Sequence, residues 1–195
     1  MKCSWLIACV AGLLAVGCSA PEQATAPAPK PPIAATQPAP APTTPEPSEP
    51  DPAQKDPRYN ARRIHQLSEL RVVPITVGGH KFKAWLMVSG CKRQEGMMFL
   101  LDKDVKADEA MLFVFPEKQP LSFWMHNTWM PLDIAYFTEG FKLLNVQQGK
   151  VKDDKPLPAT GDSQYVVEFK LGTCKRLGIK PGAKLTIPSD IRGEA

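Results

Sequence analysis

The sequence lacks the short motifs that mark the common hydrolases and nucleotide-binding enzymes. It has no Gly-x-Ser-x-Gly nucleophile elbow, no His-Glu-x-x-His helix and no glycine loop of the phosphate-binding type. Histidine is scarce as well, and the three His residues, at positions 65, 80 and 126, do not have the paired spacing that would indicate zinc. We therefore predict no metal site and no cofactor, and we lean towards a protein without catalytic activity.

Long apolar runs are also missing, apart from one at the N-terminus. That run extends from Trp5 to Val16 and ends in small residues before Cys18. A transmembrane helix needs roughly 20 apolar residues, so the run is too short to span a bilayer and is typical of a cleaved secretory signal. Small residues directly before a cysteine also resemble the bacterial lipobox. This resemblance implies a lipoprotein-type signal peptide over residues 1–18 and lipidation of Cys18, with palmitate among the acyl chains.

The address of the protein follows from the same segment. Ser19, rather than an aspartate, follows Cys18, and by resemblance to sorting in Gram-negative bacteria this implies the outer membrane. We therefore predict a lipid-anchored protein of the bacterial cell envelope, facing the periplasm or the surface. An ordinary secretory signal without lipidation is the alternative.

Large apolar side chains are almost absent from residues 21–57. This stretch contains 13 of the 21 prolines of the chain, and Ile33 is its only large apolar residue. No packed core can form there, and the alternation of Pro with Ala favours extended polyproline II. We predict a disordered, Pro/Ala-rich linker over residues 19–57, with a reach on the order of 110 Å when fully extended, followed by a single domain over residues 58–195.

Charge of one sign is not concentrated in the predicted domain. From Arg58 onward the chain has 21 basic and 15 acidic residues, a net charge of +6, and its cations are scattered singly. No segment combines basic and aromatic residues as nucleic-acid-binding modules do. We predict no nucleic-acid partner, and contact with the membrane through the lipidated N-terminus. The cation excess of the domain also leaves contact with anionic lipid headgroups or polyanionic envelope polymers open.

Short β patterns dominate the domain. On both sides of Gly78-Gly79 apolar residues alternate with polar ones, and a two-residue turn pairs Val77 with His80. Turn signals are found at residues 116–120, 138–140 and 180–182. Further strands are predicted at residues 110–115, 121–125, 132–137, 141–146, 164–170 and 183–187.

Helical patterns are few and short. They cover residues 62–70, a stretch from Ser89 as N-cap to Gly96, and residues 173–178. Long helical crossovers are absent. The predicted fold is therefore mainly β: an antiparallel sandwich or a small jelly-roll-like barrel of about seven or eight strands, with one or two short helices.

Four segments carry a resemblance to a known family. Residues 94–99 read Gln-Glu-Gly-Met-Met-Phe and residues 110–115 read Ala-Met-Leu-Phe-Val-Phe. Residues 122–133 read Ser-Phe-Trp-Met-His-Asn-Thr-Trp-Met-Pro-Leu-Asp, and residues 165–168 add a Tyr-x-x-Glu pattern. From about residue 82 to residue 187 the chain resembles the bacterial and archaeal domain of unknown function 192.

This resemblance implies an exported, mainly β, jelly-roll-like domain without an accepted activity. Two positions depart from the pattern of the family. Glu95 stands where an Arg is common, and His126 stands where a Lys is common. Any function that relatives assign to that Arg or Lys is therefore in doubt for this chain.

The densest group of polar and aromatic residues lies between two predicted strands. Alternation places Trp124 and His126 on one face and Met125 on the other, followed by a turn. We predict that this surface binds a ligand through a few polar groups among aromatic rings. The alternative is structural, because Asn and Asp beside turns commonly bond backbone amides. The predicted ligand-binding residues are Trp124, Met125, His126, Asn127, Thr128, Trp129 and Asp133.

Catalysis by paired carboxylates is the second hypothesis. General acid and base work needs two carboxyl groups that converge across a pocket, and the candidates are Asp133, Glu168 and Glu95. Convergence in a cleft would favour a hydrolase or lyase that acts on an envelope carbohydrate. Salt-bridged or turn-bonded carboxylates would favour a binding protein.

Cysteine and methionine leave two more alternatives open. Cys91 and Cys174 follow Cys18, and in an exported protein they can form a disulfide or remain separate buried thiols. Several Met residues, with His80 and His126, offer ligands to Cu(I), but Met at buried strand positions is typical of core packing. The function predicted from the sequence is that of an envelope lipoprotein whose β domain binds a small molecule, a glycan or a protein partner without performing chemistry.

Overall fold

The computed structural model describes residues 56–194, which cover nearly all of the predicted domain. The predicted signal peptide, Cys18 and almost all of the predicted linker lie outside the described residues. Within residues 56–194, no helix has the length and apolar character needed to cross a membrane.

The first two strands form the predicted hairpin. β1 (Val72–Val77) and β2 (His80–Met87) are antiparallel, with Val77 opposite His80. Both glycines of the turn have positive φ angles, of 56° and 86°, which glycine adopts without steric cost. The register agrees with the prediction, because a slip by one residue would turn the apolar face of each strand to solvent.

Five further strands complete one curled, mixed sheet that forms a half-barrel. Its strand order is β5-β4-β6-β3-β2-β1-β7, and every neighbouring pair is antiparallel except β2 and β3. The prediction of a mainly β fold with about seven or eight strands and one or two short helices is confirmed, because residues 56–194 form seven strands and two short helices. The one parallel pair makes the sheet mixed where an antiparallel one was predicted. The added strands are β3 (Glu109–Phe123), β4 (Leu132–Phe137), β5 (Leu143–Gly149), β6 (Leu157–Lys170) and β7 (Leu185–Thr186).

The prediction of a turn at residues 116–120 is wrong, because these residues continue β3. They are exposed, and the register of β3 against β6 shifts between Val114 and Gln119 and again between Pro120 and Ser122. Proline is tolerated at such bulges, because no ladder bond needs its missing N–H. The prolines here mark a bulged stretch of one long strand.

Two short helices lie where their cap signals predict. α1 (Gly90–Glu95) has Ser89 as its N-cap and Gly96 as its C-cap. α2 (Thr173–Arg176) falls within the predicted helical stretch of residues 173–178. Both helices lie in connections between strands.

The predicted helix over residues 62–70 is wrong. Only a 3-10 turn forms there, at Leu67–Glu69. The backbone amides of Ile64 and His65 donate hydrogen bonds of 2.7 and 2.9 Å to the Glu95 carboxylate. Tertiary hydrogen bonds thus replace the local bonds that an α-helix would have made.

Buried side chains cover both faces of the sheet. The first cluster includes Phe82, Leu112 and Phe169, and the second cluster includes Met111 and Tyr136. Sequence neighbours such as Met111 and Leu112 belong to different clusters, because successive side chains of a strand point to opposite faces. Position along the strand therefore decides which polar residues can meet.

Candidate functional site

A pocket of about 300 Å³ lies on the side of the second cluster, between α1, the loop that follows it, β3 and β6. Such a volume is at the lower end of the range for small-molecule sites, and the mixture of aromatic walls with a few polar groups is typical of them. We call it the Glu168 pocket. Its main lining residues are Met97, Met98, Phe115, Leu121, Phe123 and Trp124, with Arg93, Gln94, Glu95, Ser122, Thr128 and Glu168 as the polar ones.

Glu168 reaches this pocket because of its place in β6. It lies opposite Met111 of β3 and Ile134 of β4, so its side chain points to the face of the second cluster. The residue is only 5% exposed. Its carboxyl accepts a hydrogen bond from the Met97 backbone amide, whereas Oε2 is buried and has no hydrogen-bond partner. A hydrogen-bonding atom is therefore left unused beside the pocket.

Burial raises the pKa of Glu168 to about 8, against the opposing effects of the Met97 amide and the positive charge of Arg63. Desolvation disfavours the charged form of an acid, which explains the direction of the shift. At neutral pH the side chain is mainly a carboxylic acid. It can then donate a hydrogen bond as well as accept one.

Glycine is required where the chain passes over Glu168. Gly96 has a φ angle of 48°, which residues other than glycine rarely adopt. A Cβ atom at this position would lie 3.0 Å from the Phe113 ring and 3.4 Å from Oε2 of Glu168. The Gly-Met step of the sequence therefore brings the Met97 amide to the carboxyl group.

A buried ion pair lies behind the pocket. The Arg63 side chain has no exposed surface, and its Nη2 is 3.6 Å from Oε2 of Glu95. Arg63 Nη1 also donates to the carbonyl oxygens of Gly96, at 3.0 Å, and Met98, at 2.6 Å. Burial lowers the pKa of Arg63, while Glu95 and Glu168 oppose that shift. Arg63 thus holds the loop that carries Met97 in place.

Glu95 is fully engaged by this arrangement. Its Oε1 accepts from the Ile64 amide, and its Oε2 accepts from the His65 amide and faces Arg63. At this position the resemblance leads one to expect an Arg. In this chain Glu95 pairs instead with Arg63, which lies in a loop earlier in the sequence. A guanidinium group is therefore still present near Glu168, but another part of the sequence supplies it.

Trp124 is the most exposed residue of the predicted binding surface. The residue is 48% exposed, and its indole stacks on His126, with ring centroids 4.8 Å apart and an interplanar angle of 22°. His126 Nδ1 lies 3.0 Å from Oδ1 of Asp154. Trp124 and Thr128 both line the Glu168 pocket. These residues bring part of the predicted surface to the pocket.

Other members of the predicted surface have structural positions. Met125 is fully buried in the second cluster. Asn127 has a φ angle of 52°, and its carbonyl oxygen accepts from the Phe99 amide at 2.9 Å. The Trp129 ring contacts the Phe99 ring edge-on and lies 5.0 Å from the guanidinium of Arg62. None of these three residues lines the Glu168 pocket.

Asp133 lies on the opposite face of the sheet from Glu168. It is opposite Phe169 in the pairing of β4 with β6, whereas Glu168 is opposite Ile134. The Asp133 side chain is buried, and its Oδ2 accepts a 2.8 Å hydrogen bond from the Cys174 amide. The hypothesis that Asp133 and Glu168 converge as acid and base is therefore wrong, because the register of the two strands separates them.

Cys91 and Cys174 do not form a disulfide with each other. Cys174 is a free, buried thiol in the first cluster, while α1, which carries Cys91, borders the pocket on the other face. Burial raises the pKa of the Cys174 thiol to about 12, and nearby Asp133 raises it further in the same direction. Cys174 therefore remains an unreactive thiol near neutral pH.

Metal ligands do not cluster in the part of the chain that the structure describes. Residues 56–194 contain no group of three or more His, Cys, Asp or Glu side chains placed to hold an ion. Met97, Met111, Met125 and Met130 are buried in the second cluster. Their positions are those of core side chains.

Arg63, Gln94, Phe115 and Leu121 are pocket or supporting residues that were not among the predicted site residues. The sequence could have indicated Gln94 and Phe115, because they lie in residues 94–99 and 110–115, two segments of the family pattern that border the pocket. Arg63 left no such signal. It lies in a loop, and its contact with Glu95 spans some 30 residues of sequence.

Comparison with known proteins adds a family. Residues 73–187 match the family model of the domain of unknown function 192, described as uncharacterized ACR. No curated protein sequence matches the chain.

Two solved structures are similar to this chain. A protein of unknown function from Novosphingobium aromaticivorans DSM 12444 is 34% identical, with a TM-score of 0.59, over 64% of this chain and 91% of that one. A protein from Sinorhizobium meliloti 1021, described as a candidate transcription regulator, is 27% identical, with a TM-score of 0.57, over 60% of this chain and 95% of that one. With the family model matching more than half of its residues, the chain belongs to the domain of unknown function 192 family.

Proposed function

We propose that this protein is a non-catalytic binding module of the bacterial cell envelope, with the Glu168 pocket as its ligand site. The observation that carries the proposal is the unpartnered Oε2 of Glu168, buried beside a pocket of about 300 Å³. Buried polar atoms in folded proteins are almost always hydrogen-bonded. A ligand that enters the pocket would supply the partner that Glu168 lacks.

The envelope part of the proposal is supported by the N-terminal sequence. The short apolar run, the small residues before Cys18 and the Pro-rich stretch after it are the pattern of a lipoprotein with a spacer. Two or three acyl chains on Cys18 are enough for stable anchoring. The domain would then bind its ligand at a distance from the membrane.

A binding role is favoured over a catalytic one by the state of the carboxylates. Acid and base work needs a second carboxyl group that converges with Glu168. Glu95 is the other carboxylate that lines the pocket among the described residues, and both of its oxygens are engaged. Salt-bridged carboxylates of this kind position backbone and leave Glu168 without a catalytic partner.

The proposal is tested with a variant that fills the pocket. Ser122 is exposed and lines the pocket from β3, so Ser122→Trp would obstruct it without disturbing the core. Gln119→Trp is the matched control, because Gln119 is exposed on the same strand and does not line the pocket. The two variants and the unmodified protein are exposed to small molecules, glycan fragments and peptides extracted from cell envelopes, and retained compounds are identified by native mass spectrometry.

We expect at least one compound to bind the unmodified protein and Gln119→Trp but not Ser122→Trp. Equal retention by both variants would place binding elsewhere on the domain and would contradict the proposed site. Conversion of a retained compound into a product of different mass would contradict a purely binding role.

A further inference from the structure

The exposed Trp124 ring has the geometry of a fixed platform. Its stacking partner His126 is in turn held by Asp154, with 3.0 Å between Nδ1 and Oδ1. An aromatic residue that is 48% exposed offers an apolar surface to a ligand, and its stacking on His126 reduces the side-chain entropy that binding would cost. The platform suits a ligand with a flat or ring-shaped apolar face.

Two hollows border Trp124. One is the Glu168 pocket, and the other has a volume of about 220 Å³ and is lined by Ser122, Phe123, Trp124, Asp154 and Pro156. Ser122, Phe123 and Trp124 are common to both hollows. A ligand of several linked rings can therefore pass over Trp124 and occupy both hollows.

The charged side chains that line the Glu168 pocket are already engaged. Arg93 donates from Nη1 to the carbonyl oxygens of Val88, Val114 and Glu194. Glu95 is bound by Arg63 and two amides. Burial keeps Glu168 mainly uncharged at neutral pH, with its pKa raised to about 8. A cationic ligand would thus find no free carboxylate among the described residues that line this pocket, and an anionic ligand would have to compete with three carbonyl oxygens and the Phe115 ring for Arg93.

The remaining polar groups are neutral donors and acceptors. Gln94 and Ser122 line the pocket with an amide and a hydroxyl group, beside the unpartnered Oε2 of Glu168. The hydroxyl group of Thr128, which also lines it, donates to the His126 carbonyl oxygen at 3.3 Å. Neutral hydrogen-bonding groups around an aromatic platform match a ring that has an apolar face and a polar edge. A saccharide ring has that combination, with C–H groups on its face and hydroxyl groups around its edge.

From this geometry we infer that the two hollows bind an uncharged oligosaccharide, one ring of which stacks on the Trp124 indole while another enters the Glu168 pocket. The inference rests on the proposed binding function and specifies its ligand class. Glu168 donates a hydrogen bond to an oxygen of the ring in the pocket. An aromatic metabolite, which would also stack on Trp124, is the competing occupant.

The test uses the full-length protein in detergent and three defined trisaccharides. Chitotriose is uncharged and acetylated, its de-acetylated form is cationic, and trigalacturonate is anionic. Binding is measured by isothermal titration calorimetry and by intrinsic tryptophan fluorescence. We expect chitotriose to bind more tightly than either charged trisaccharide.

Variants locate the platform. Trp124→Ala is expected to weaken chitotriose binding by about tenfold or more, and Trp124→Phe by less, because a smaller ring keeps part of the stacking surface. Trp129→Phe is the matched control, because Trp129 is a partly exposed tryptophan that lines neither hollow. It should leave the affinity unchanged. Thermal unfolding of each variant separates loss of binding from loss of folding.

Four outcomes would overturn the inference. Tighter binding of a charged trisaccharide would contradict the claim that the ligand is uncharged. Equal affinities of Trp124→Ala and the unmodified protein would show that the ligand does not stack on Trp124. Failure of chitotriose to bind, while a compound from the envelope screen that is not a saccharide binds and is blocked by Ser122→Trp, would refute the saccharide class and leave the proposed binding function standing. If no compound distinguishes Ser122→Trp from Gln119→Trp, the proposed binding site and the saccharide inference are both wrong.

Discussion

At pH 7 the Glu168 carboxyl group keeps its proton, because burial raises its pKa to about 8. In the unfolded chain a glutamate loses its proton near pH 4.3. Between these two values the folded protein binds one more proton than the unfolded chain. The free energy of unfolding must therefore fall as the pH rises through this interval.

Glu168→Gln isolates this effect, because an amide of similar shape does not titrate. We expect the unmodified protein to lose stability relative to Glu168→Gln by up to about 1.4 kcal/mol for each pH unit between roughly pH 5 and 8. Urea unfolding of both proteins at four pH values measures the difference. Glu117→Gln, at an exposed position of β3, is the control and should show no such trend. A constant difference between Glu168→Gln and the unmodified protein would contradict the raised pKa.

Asp133 is a structural residue on the other face of the sheet. Asp133→Ala would leave the buried Cys174 amide without its 2.8 Å partner, at a cost of about 1–3 kcal/mol in unfolding free energy. Ligand binding in the Glu168 pocket should not change. Chemical denaturation and the envelope screen measure the two effects, with the exposed Asp162→Ala as control. A variant that stays fully stable but loses the ligand would make Asp133 a binding residue.

At the scale of elements, the C-terminal segment closes against β3. Ile191 is buried in the first cluster, and the Glu194 amide donates to the Val88 carbonyl oxygen. Arg93 of α1 donates to the Glu194 carbonyl oxygen at 3.0 Å. The segment thus joins α1 to the end of the chain.

Gly193→Ala tests how closely this segment must approach. A Cβ atom at Gly193 would lie 2.3 Å from the backbone carbon of Phe115, so the segment must move away from β3. We expect a loss of about 1–3 kcal/mol in unfolding free energy and faster hydrogen exchange of the Glu194 amide. Gly140→Ala is the control, because its Cβ would meet only ordinary contacts. Unchanged exchange would show that the contact is not needed.

Elements differ in how far local sequence predicts them. The hairpin of β1 and β2 was predictable in register, because two alternating runs flank a glycine turn of fixed length. The long β3 was not, because the prolines that signal a turn are also tolerated at an exposed bulge. The helical pattern at residues 62–70 failed because Glu95, distant in sequence, binds the backbone there.

At the scale of the whole molecule, the anchor and the domain are expected to act independently. The Pro/Ala-rich linker predicted for residues 19–57 would act as a semi-rigid, extended spacer between them. Removing the acyl chains should therefore change where the protein is found without changing what it binds.

Cys18→Ala tests this separation. We expect the protein with its own sequence to be found in the membrane fraction and to carry the added mass of acyl chains. Cys18→Ala should lack that mass and should no longer be anchored. Cys9→Ala is the control, because Cys9 lies within the predicted signal peptide and should not affect the mature protein. Membrane fractionation and intact mass give both readouts. Absence of the acyl mass from the protein that retains Cys18 would contradict lipidation.

The sequence by itself determined the class of the fold, because alternation with period 2, glycine turns and cap residues act over only a few positions. It also indicated the family and carries the expectation of a lipid anchor. The Glu168 pocket was decided by the tertiary structure. Strand register separates Asp133 from Glu168, and a loop far away in sequence supplies Arg63. Such contacts depend on how distant segments pair and pack, and local preferences do not contain that information.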